Sequence, residues 1–304
     1  MFKHILIPLD GSNLAESALP AAAYLAGKLH SRVTLLHVIE ENAPAEIHGE
    51  RHLTDPDEAQ RYLKDLAGSH FQPGIKVETH VHREEVQNVA RSIVSHSQSE
   101  FAPDLIILSA HGQGGLRDIF MGNIAQQVLT LGQIPILLID VPEDGCRDCF
   151  ELKTILLPID GNPQHEQAFS SGVDLAKSCK AGVILLMVIP TLTSLKGEKA
   201  ATSIFLPGAV SLALEQAEEE AGSYVEEHML QLKKAGVNGT SVIVRGDPAV
   251  QIADAAQTAN LDLIILGTHR KSGSDAFWSA SVASKVSRIS QKPILFIPVN
   301  IFPS

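Results

Sequence analysis

The sequence predicts an α/β protein built as two tandem doubly wound, parallel-sheet domains, and three observations carry that prediction. The first is a repeat, because Pro8-Leu9-Asp10-Gly11-Ser12 recurs as Pro158-Ile159-Asp160-Gly161-Asn162. Further along, Asp104-Leu105-Ile106-Ile107-Leu108 recurs as Asp262-Leu263-Ile264-Ile265-Leu266, and Pro135-Ile136-Leu137-Leu138-Ile139 as Pro293-Ile294-Leu295-Phe296-Ile297. The second is length: 304 residues exceed what one hydrophobic core usually organises. The third is the character of the apolar runs, which are nearly continuous Val, Ile and Leu rather than alternating. Strands of a parallel sheet covered by helices on both faces have that composition.

In the first copy these runs predict strands over 2–8, 32–39, 75–82, 104–109 and 134–141. Helical periodicity between them predicts helices over 13–30, 54–70, 84–99 and 122–132. Right-handed crossovers then give an open, doubly wound sheet. The segment 142–151 breaks the pattern with Pro142, Gly145 and charge, and is the expected linker between a first domain, 1–141, and a second, 152–304. The wider offset of the later repeats gives the second copy about eight extra residues, expected within 191–208, where Pro190, Gly197, Pro207 and Gly208 mark irregular backbone ahead of a Glu-rich helix over 212–234. Each copy closes on an apolar strand, 134–141 and 293–299, which as an exposed edge needs cover. Pairing of the two edges predicts an internal pseudo-dimer; association of two chains as a homodimer stays open beside it.

Hydrophobic residues make up 44% of the chain and charged residues 19%, a globular composition. The formal net charge of −11 opposes unspecific attachment to nucleic acid or anionic membrane, so neither is an expected partner and any phosphate must be held locally. No run of 18 apolar residues occurs, the N-terminal segment lacks a signal-peptide pattern, and Cys146, Cys149 and Cys179 are an odd, sparse set. These features lead to the expectation of a cytoplasmic protein.

Ligands of such sheets bind beyond the carboxyl ends of the strands, where strand order reverses. The loop after the first strand places Asp10 there, able to accept hydrogen bonds from a ribose or an adenine amino group, or to organise the turn ahead of a Ser or Asn cap. The loop after the fourth strand runs Ser109-Ala110-His111-Gly112-Gln113-Gly114-Gly115 and reaches a helix near Gly122-Asn123. Glycines let backbone amides approach an anion, and a helix N-terminus adds free N–H groups.

These residues resemble the universal stress protein family, whose nucleotide-binding members carry Gly-x-x-Gly-x9-Gly-Ser/Thr after the fourth strand and Asp after the first. The resemblance covers both copies and implies the family's adenine nucleotide hydrolase-like fold and an adenine nucleotide ligand (ATP, ADP or AMP), with Mg2+ as its companion ion. On this sequence Asp10 matches the carboxylate on the nucleoside side and Val38 the residue flanking the base. Gly112 matches the second glycine and Gly122, nine residues on, the third. Ser109 stands at the first glycine and Asn123 at the Ser/Thr, so the expected site is Asp10, Val38, Ser109, His111, Gly112, Gly122 and Asn123, working but altered. In the second copy Gly267 and Ser281 keep the pattern, whereas Arg270 and Ala280 replace two glycines. That predicts a closed phosphate loop, while Asp160 and Val188 leave room for an adenine pocket.

After the third strand the second copy has Arg245-Gly246-Asp247-Pro248, whereas the first has His82-Arg83-Glu84-Glu85, with Arg83 placed near the pocket mouth. Cys146-x-x-Cys149 lacks the two further ligands zinc prefers. The 13 histidines follow no known ligand motif and are expected to be solvated or packed. His111 and His269 have no Walker lysine, paired carboxylates or nucleophile elbow beside them, so efficient phosphoryl transfer is not expected. The resemblance implies a stress-response sensor or regulator that binds nucleotide in its first copy. A slow ATPase and a nucleotide-free interaction module are the rivals.

Overall fold

The computed structural model describes residues 1–304 except 48–49, 111–122, 142–148, 163–164, 190, 192–206, 270–280 and 300–304. The chain divides into two compact units, Met1–Glu151 with Pro293–Pro298, and Leu152–Lys292 with Val299–Ser304. Residues 142–148 of the expected linker 142–151, most of the expected insertion at 191–208 and the segment Arg270 to Ala280 lie outside the described residues.

In the first unit the elements run β1 (His4–Pro8), α1 (Asn13–Glu16), α2 (Leu19–Leu29), β2 (Arg32–Glu40), β3 (Glu46–Ile47), β4 (Glu50–Arg51), α3 (Pro56–His70), β5 (Val77–Val86), α4 (Val89–Ser99), β6 (Leu105–Ala110), α5 (Asn123–Leu131) and β7 (Ile136–Asp140). The parallel strands lie in the order β5-β2-β1-β6-β7. The strand β12 (Ile294–Val299) adds antiparallel to β7, with Ile294, Leu295 and Phe296 opposite Leu138, Leu137 and Ile136. In the second unit β8 (Thr154–Ile159), α6 (Glu166–Cys179), β9 (Gly182–Ile189), α7 (Pro207–Ala235), β10 (Gly239–Arg245), α8 (Pro248–Thr258), β11 (Leu263–His269) and α9 (Val282–Ile289) form the order β10-β9-β8-β11. Ile5, Leu6, Ile7, Leu35 and Leu36 of the first sheet are fully buried, as strands covered on both faces require.

The repeated motifs have repeated physical duties. Asp104, just before β6, accepts the backbone N–H groups of Lys3 at 2.7 Å and His4 at 2.9 Å, clamping the start of β1. Asp262 does the same for β8 through Lys153 and Thr154, both at 2.8 Å. The helices that lead into β2 and β9 also end alike: after α2 and α6, His30 and Lys180 are left-handed at φ 54° and 59°, with their N–H groups returned to Ala26 and Ala176.

Two expected boundaries move. The helix over 13–30 is split, because Pro20 has no N–H to continue a ladder from Glu16, so α1 stops and α2 starts afresh. The third strand runs four residues past 82, since the first copy lacks the glycine turn: after a register shift between Val38 and Glu40, Val86 pairs with Glu40. The next helix therefore starts at Val89, where the Asn88 side chain caps it by accepting Arg91 N–H at 2.8 Å. In the second unit Gly246, at φ 148°, makes the turn at once and Asp247 caps α8.

Two helical glycines predict opposite outcomes for one substitution. A Cβ at Gly27 of α2 meets nothing within 4 Å, so Gly27→Ala should stabilise by about 0.5–1 kcal/mol. A Cβ at Gly172 of α6 would lie 2.4 Å from Leu157 Cδ2, a side chain that is itself buried. Gly172→Ala should cost about 1–3 kcal/mol, and urea unfolding of the two variants reads both signs.

Candidate functional site

The strand order places β1 between β2 and β6, and the chain leaves β1 in one direction towards β2 and later returns on the other side to β6. That reversal is the switch point, and three of the expected residues meet at it: Asp10 after β1, Val38 in β2 and Ser109 in β6. Val38 is buried and Ser109 half-buried. Asn123 is the first residue of α5. His111, Gly112 and Gly122 lie outside the described residues.

Asp10 has a structural duty at this position. Its Oδ1 accepts the Ser12 N–H at 3.0 Å and the Ser12 hydroxyl at 2.7 Å, and the same hydroxyl oxygen accepts Ala15 N–H at 3.2 Å to cap α1. The carboxylate and the first helix are thus fixed together by a buried serine. Gly11 makes the bend at φ 95°, and a Cβ there would lie 2.8 Å from Leu53.

Residues the sequence did not single out hold this loop from above. The short β3–β4 hairpin carries Glu50, whose carboxylate accepts the Asn13 backbone N–H at 2.6 Å and the Asn13 side-chain amide. A carboxylate therefore already occupies the N-terminal end of α1. A run as short as 46–51, with charge in place of an apolar pattern, gives no strand signal. Arg83, left undecided by sequence, sits on β5 and donates to Asp57 at 2.9 Å in an exposed ion pair.

His37, next to Val38, braces the same loop. Its ring nitrogens face the carbonyl oxygens of Leu9 at 2.8 Å and Leu53 at 2.9 Å, tying the end of β1 to the segment after β4. A neutral imidazole donates from one nitrogen only. Burial is the larger influence and holds its pKa below the usual histidine value, outweighing the two carbonyls, which raise it. His4, in contact with Phe101 O and Thr34 Oγ1, is lowered too, by burial first and then by Arg32. For bases with depressed folded pKa values, the unfolded chain binds more protons just below about pH 6.5, so stability falls as pH drops through that range. The melting temperature should decline from pH 7.5 to 5.5 with a slope that His37→Gln reduces.

The second unit contains a cavity of about 400 Å³ beyond the ends of β8, β9 and β11. Asp160, Val188 and Gly267, the counterparts of Asp10, Val38 and Ser109, all line it, with Thr268, Ile252 and His165. His165 Nδ1 lies 2.9 and 2.8 Å from the two Asp160 oxygens. A Cβ at Gly267 would fall 3.1 Å from the His165 ring, whereas in the first unit Ser109 stands against Ala15, its hydroxyl 3.4 Å from the Ala15 carbonyl. Ala15 and His165 occupy the same repeat position, so the two units exchange bulk: glycine with histidine in one, serine with alanine in the other. The serine at the first glycine position thus has a packing partner of suitable size. Ser281 caps α9 at the cavity wall by accepting Ser284 N–H at 3.1 Å. Among the described residues no helix is long and apolar enough to cross a membrane.

Comparison with known proteins agrees with this duplicated architecture. The family model described as the universal stress protein family matches twice, over residues 1–140 and 151–298. A universal stress protein of Mycolicibacterium smegmatis is 23% identical over 315 residues, covering 96% of each chain. The universal stress protein Sll1654 of Synechocystis is 33% identical over 140 residues, 46% of this chain and 86% of its own. A solved structure, PA1789 from Pseudomonas aeruginosa, superposes with a TM-score of 0.68 over 98% of this chain and 93% of its own at 18% identity. The chain belongs to the universal stress protein family, as a member with two tandem copies of the family's domain.

Proposed function

We propose that this protein binds an adenine nucleotide (ATP, ADP or AMP) in its first unit and acts as a cytoplasmic stress sensor or regulator through that occupancy rather than through turnover. The observation that carries this reading is the convergence of Asp10, Val38 and Ser109 at the switch point of the first sheet, directly ahead of the glycine-spaced loop. Asp10 and Val38 serve the nucleoside; Ser109, His111, Gly112, Gly122 and Asn123 serve the phosphates, with Mg2+ as their counter-ion. Asp10, tied to Ser12, and Val38, buried in β2, suit the positioning of a ligand, which favours a binder.

The second unit's cavity favours a nucleoside-sized occupant there as well. Its volume lies within the range of small-molecule sites, and Asp160, oriented by His165, is its polar anchor. With Arg270 and Ala280 in place of glycines, this unit is read as taking nucleoside without holding a phosphate chain. Incubating the full chain with ATP and following products by chromatography separates binder from enzyme. ATP should be recovered intact. Production of ADP at a rate removed by His111→Ala would establish the slow ATPase instead.

A further inference from the structure

The fold gathers three histidines that the sequence leaves scattered. His80 and His82 are two apart on β5 and so project from the same face of that strand. His96 lies on α4, and Glu100, one helical turn on, shares its face. The three rings meet edge to face, with centroids 5.0 Å apart for His80 and His96 and 4.8 Å for His82 and His96. Phe101 closes the group from one side, 5.0 Å from the His80 ring and 5.7 Å from that of His96.

One ligand atom from each histidine lies within 4.8 Å of the other two. A tetrahedral zinc ion with bonds near 2.0–2.1 Å holds its nitrogen ligands about 3.3 Å apart, so closure takes small side-chain rotations. Half of that closure already exists, since His96 Nε2 and His82 Nδ1 are 2.9 Å apart with one proton between them. The Glu100 carboxylate sets the His96 tautomer: its Oε2 accepts from His96 Nδ1 at 2.6 Å, which leaves the Nε2 lone pair facing His82, and its Oε1 lies 3.7 Å from His80 Nδ1. A carboxylate behind a ligating imidazole is the recurrent outer shell of histidine metal sites. The His80 and His96 side chains are 30% and 12% exposed, accessible to an ion from solvent yet held by packing.

We propose that His80, His82 and His96 form a binding site for a late first-row divalent metal ion, with Zn2+ as its occupant and Glu100 as the residue that orients His96. Imidazole suits zinc and its neighbours, and neither Ca2+ nor free Mg2+ competes for an all-nitrogen set. Three histidines leave the fourth tetrahedral position to water. The ion takes the place of the proton between His82 and His96, and the His82 ring keeps that proton on its other nitrogen by changing tautomer, so neutral rings bind without net proton release. The site braces the outer strand of the first sheet, where His82 pairs in register with Val38.

The test uses the full chain carrying Cys146→Ser and Cys149→Ser, which removes two thiols that would compete for the added metal. Equilibrium dialysis should give one Zn2+ per chain, and Co2+ should produce the intense visible bands of a tetrahedral nitrogen site. His80→Gln, His82→Gln and His96→Gln, each shown to fold by circular dichroism, should lose both signals. Glu100→Gln should weaken Zn2+ binding about 10–100-fold, and His70→Ala, an exposed histidine outside the cluster, should leave it unchanged. Stoichiometry and spectrum retained in the three histidine variants, or no zinc bound by the parent, would overturn the assignment.

Discussion

Asp10→Ala is expected to lower the affinity of the full chain for ATP by about 10–100-fold, as read by equilibrium dialysis. A hydrogen bond to a charged group contributes about 1.5–3 kcal/mol, and the carboxylate is the ionic acceptor proposed for the nucleoside. Part of the loss is indirect, because the same carboxylate holds Ser12, and Ser12 caps α1. Asp10→Asn separates the two contributions. An asparagine oxygen can still accept from Ser12, so that variant should keep parental thermal stability while losing most of the affinity. Asp160→Ala should leave this first-unit affinity in place, since the second unit has its own cavity and its own carboxylate.

Phe296→Ala should be the most damaging of the substitutions considered to the fold. The ring is 1% exposed in β12, opposite Ile136 of β7, and truncating a fully buried aromatic costs about 3–5 kcal/mol. For units of this size that is a melting-temperature drop on the order of 10 °C. Ile243→Ala on β10, a side chain 39% exposed, should change stability by less than about 1 kcal/mol. The contrast in urea midpoint checks the role assigned to β12: a Phe296→Ala protein as stable as Ile243→Ala would remove it.

The large features were legible because they rest on bulk hydrophobic pattern. Continuous Val/Ile/Leu runs can be stable only inside a sheet covered on both faces, and the repeat of Asp104 as Asp262 marks a backbone clamp that both copies need. The placement of Asp10, Val38 and Ser109 at the carboxyl ends of β1, β2 and β6 was legible because a parallel sheet delivers those ends to one edge, whatever the side-chain detail. What sequence could not show depends on who meets whom across distance. The exchange of Ser109 and Ala15 for Gly267 and His165 is visible only once β6 and the first helix are side by side. The Glu50 contact to Asn13 comes from a hairpin too short and too charged to carry a periodic signal. His80, His82 and His96 match no ligand motif because strand and helix, rather than spacing along the chain, bring them together. The strand continuing past His82 was missed for a related reason: Glu84 and Glu85 read as the start of the next helix, yet β5 lies at the end of the strand order and tolerates charged Arg83, Glu84 and Glu85.

The most direct test of the central claim is calorimetric titration of the full chain, stripped of bound ligand, with ATP, ADP and AMP up to millimolar concentration. Saturable binding of adenine nucleotide at the first unit, diminished by Asp10→Ala and insensitive to Asp160→Ala, is the predicted result. No heat and no saturation with any of the three nucleotides would contradict it.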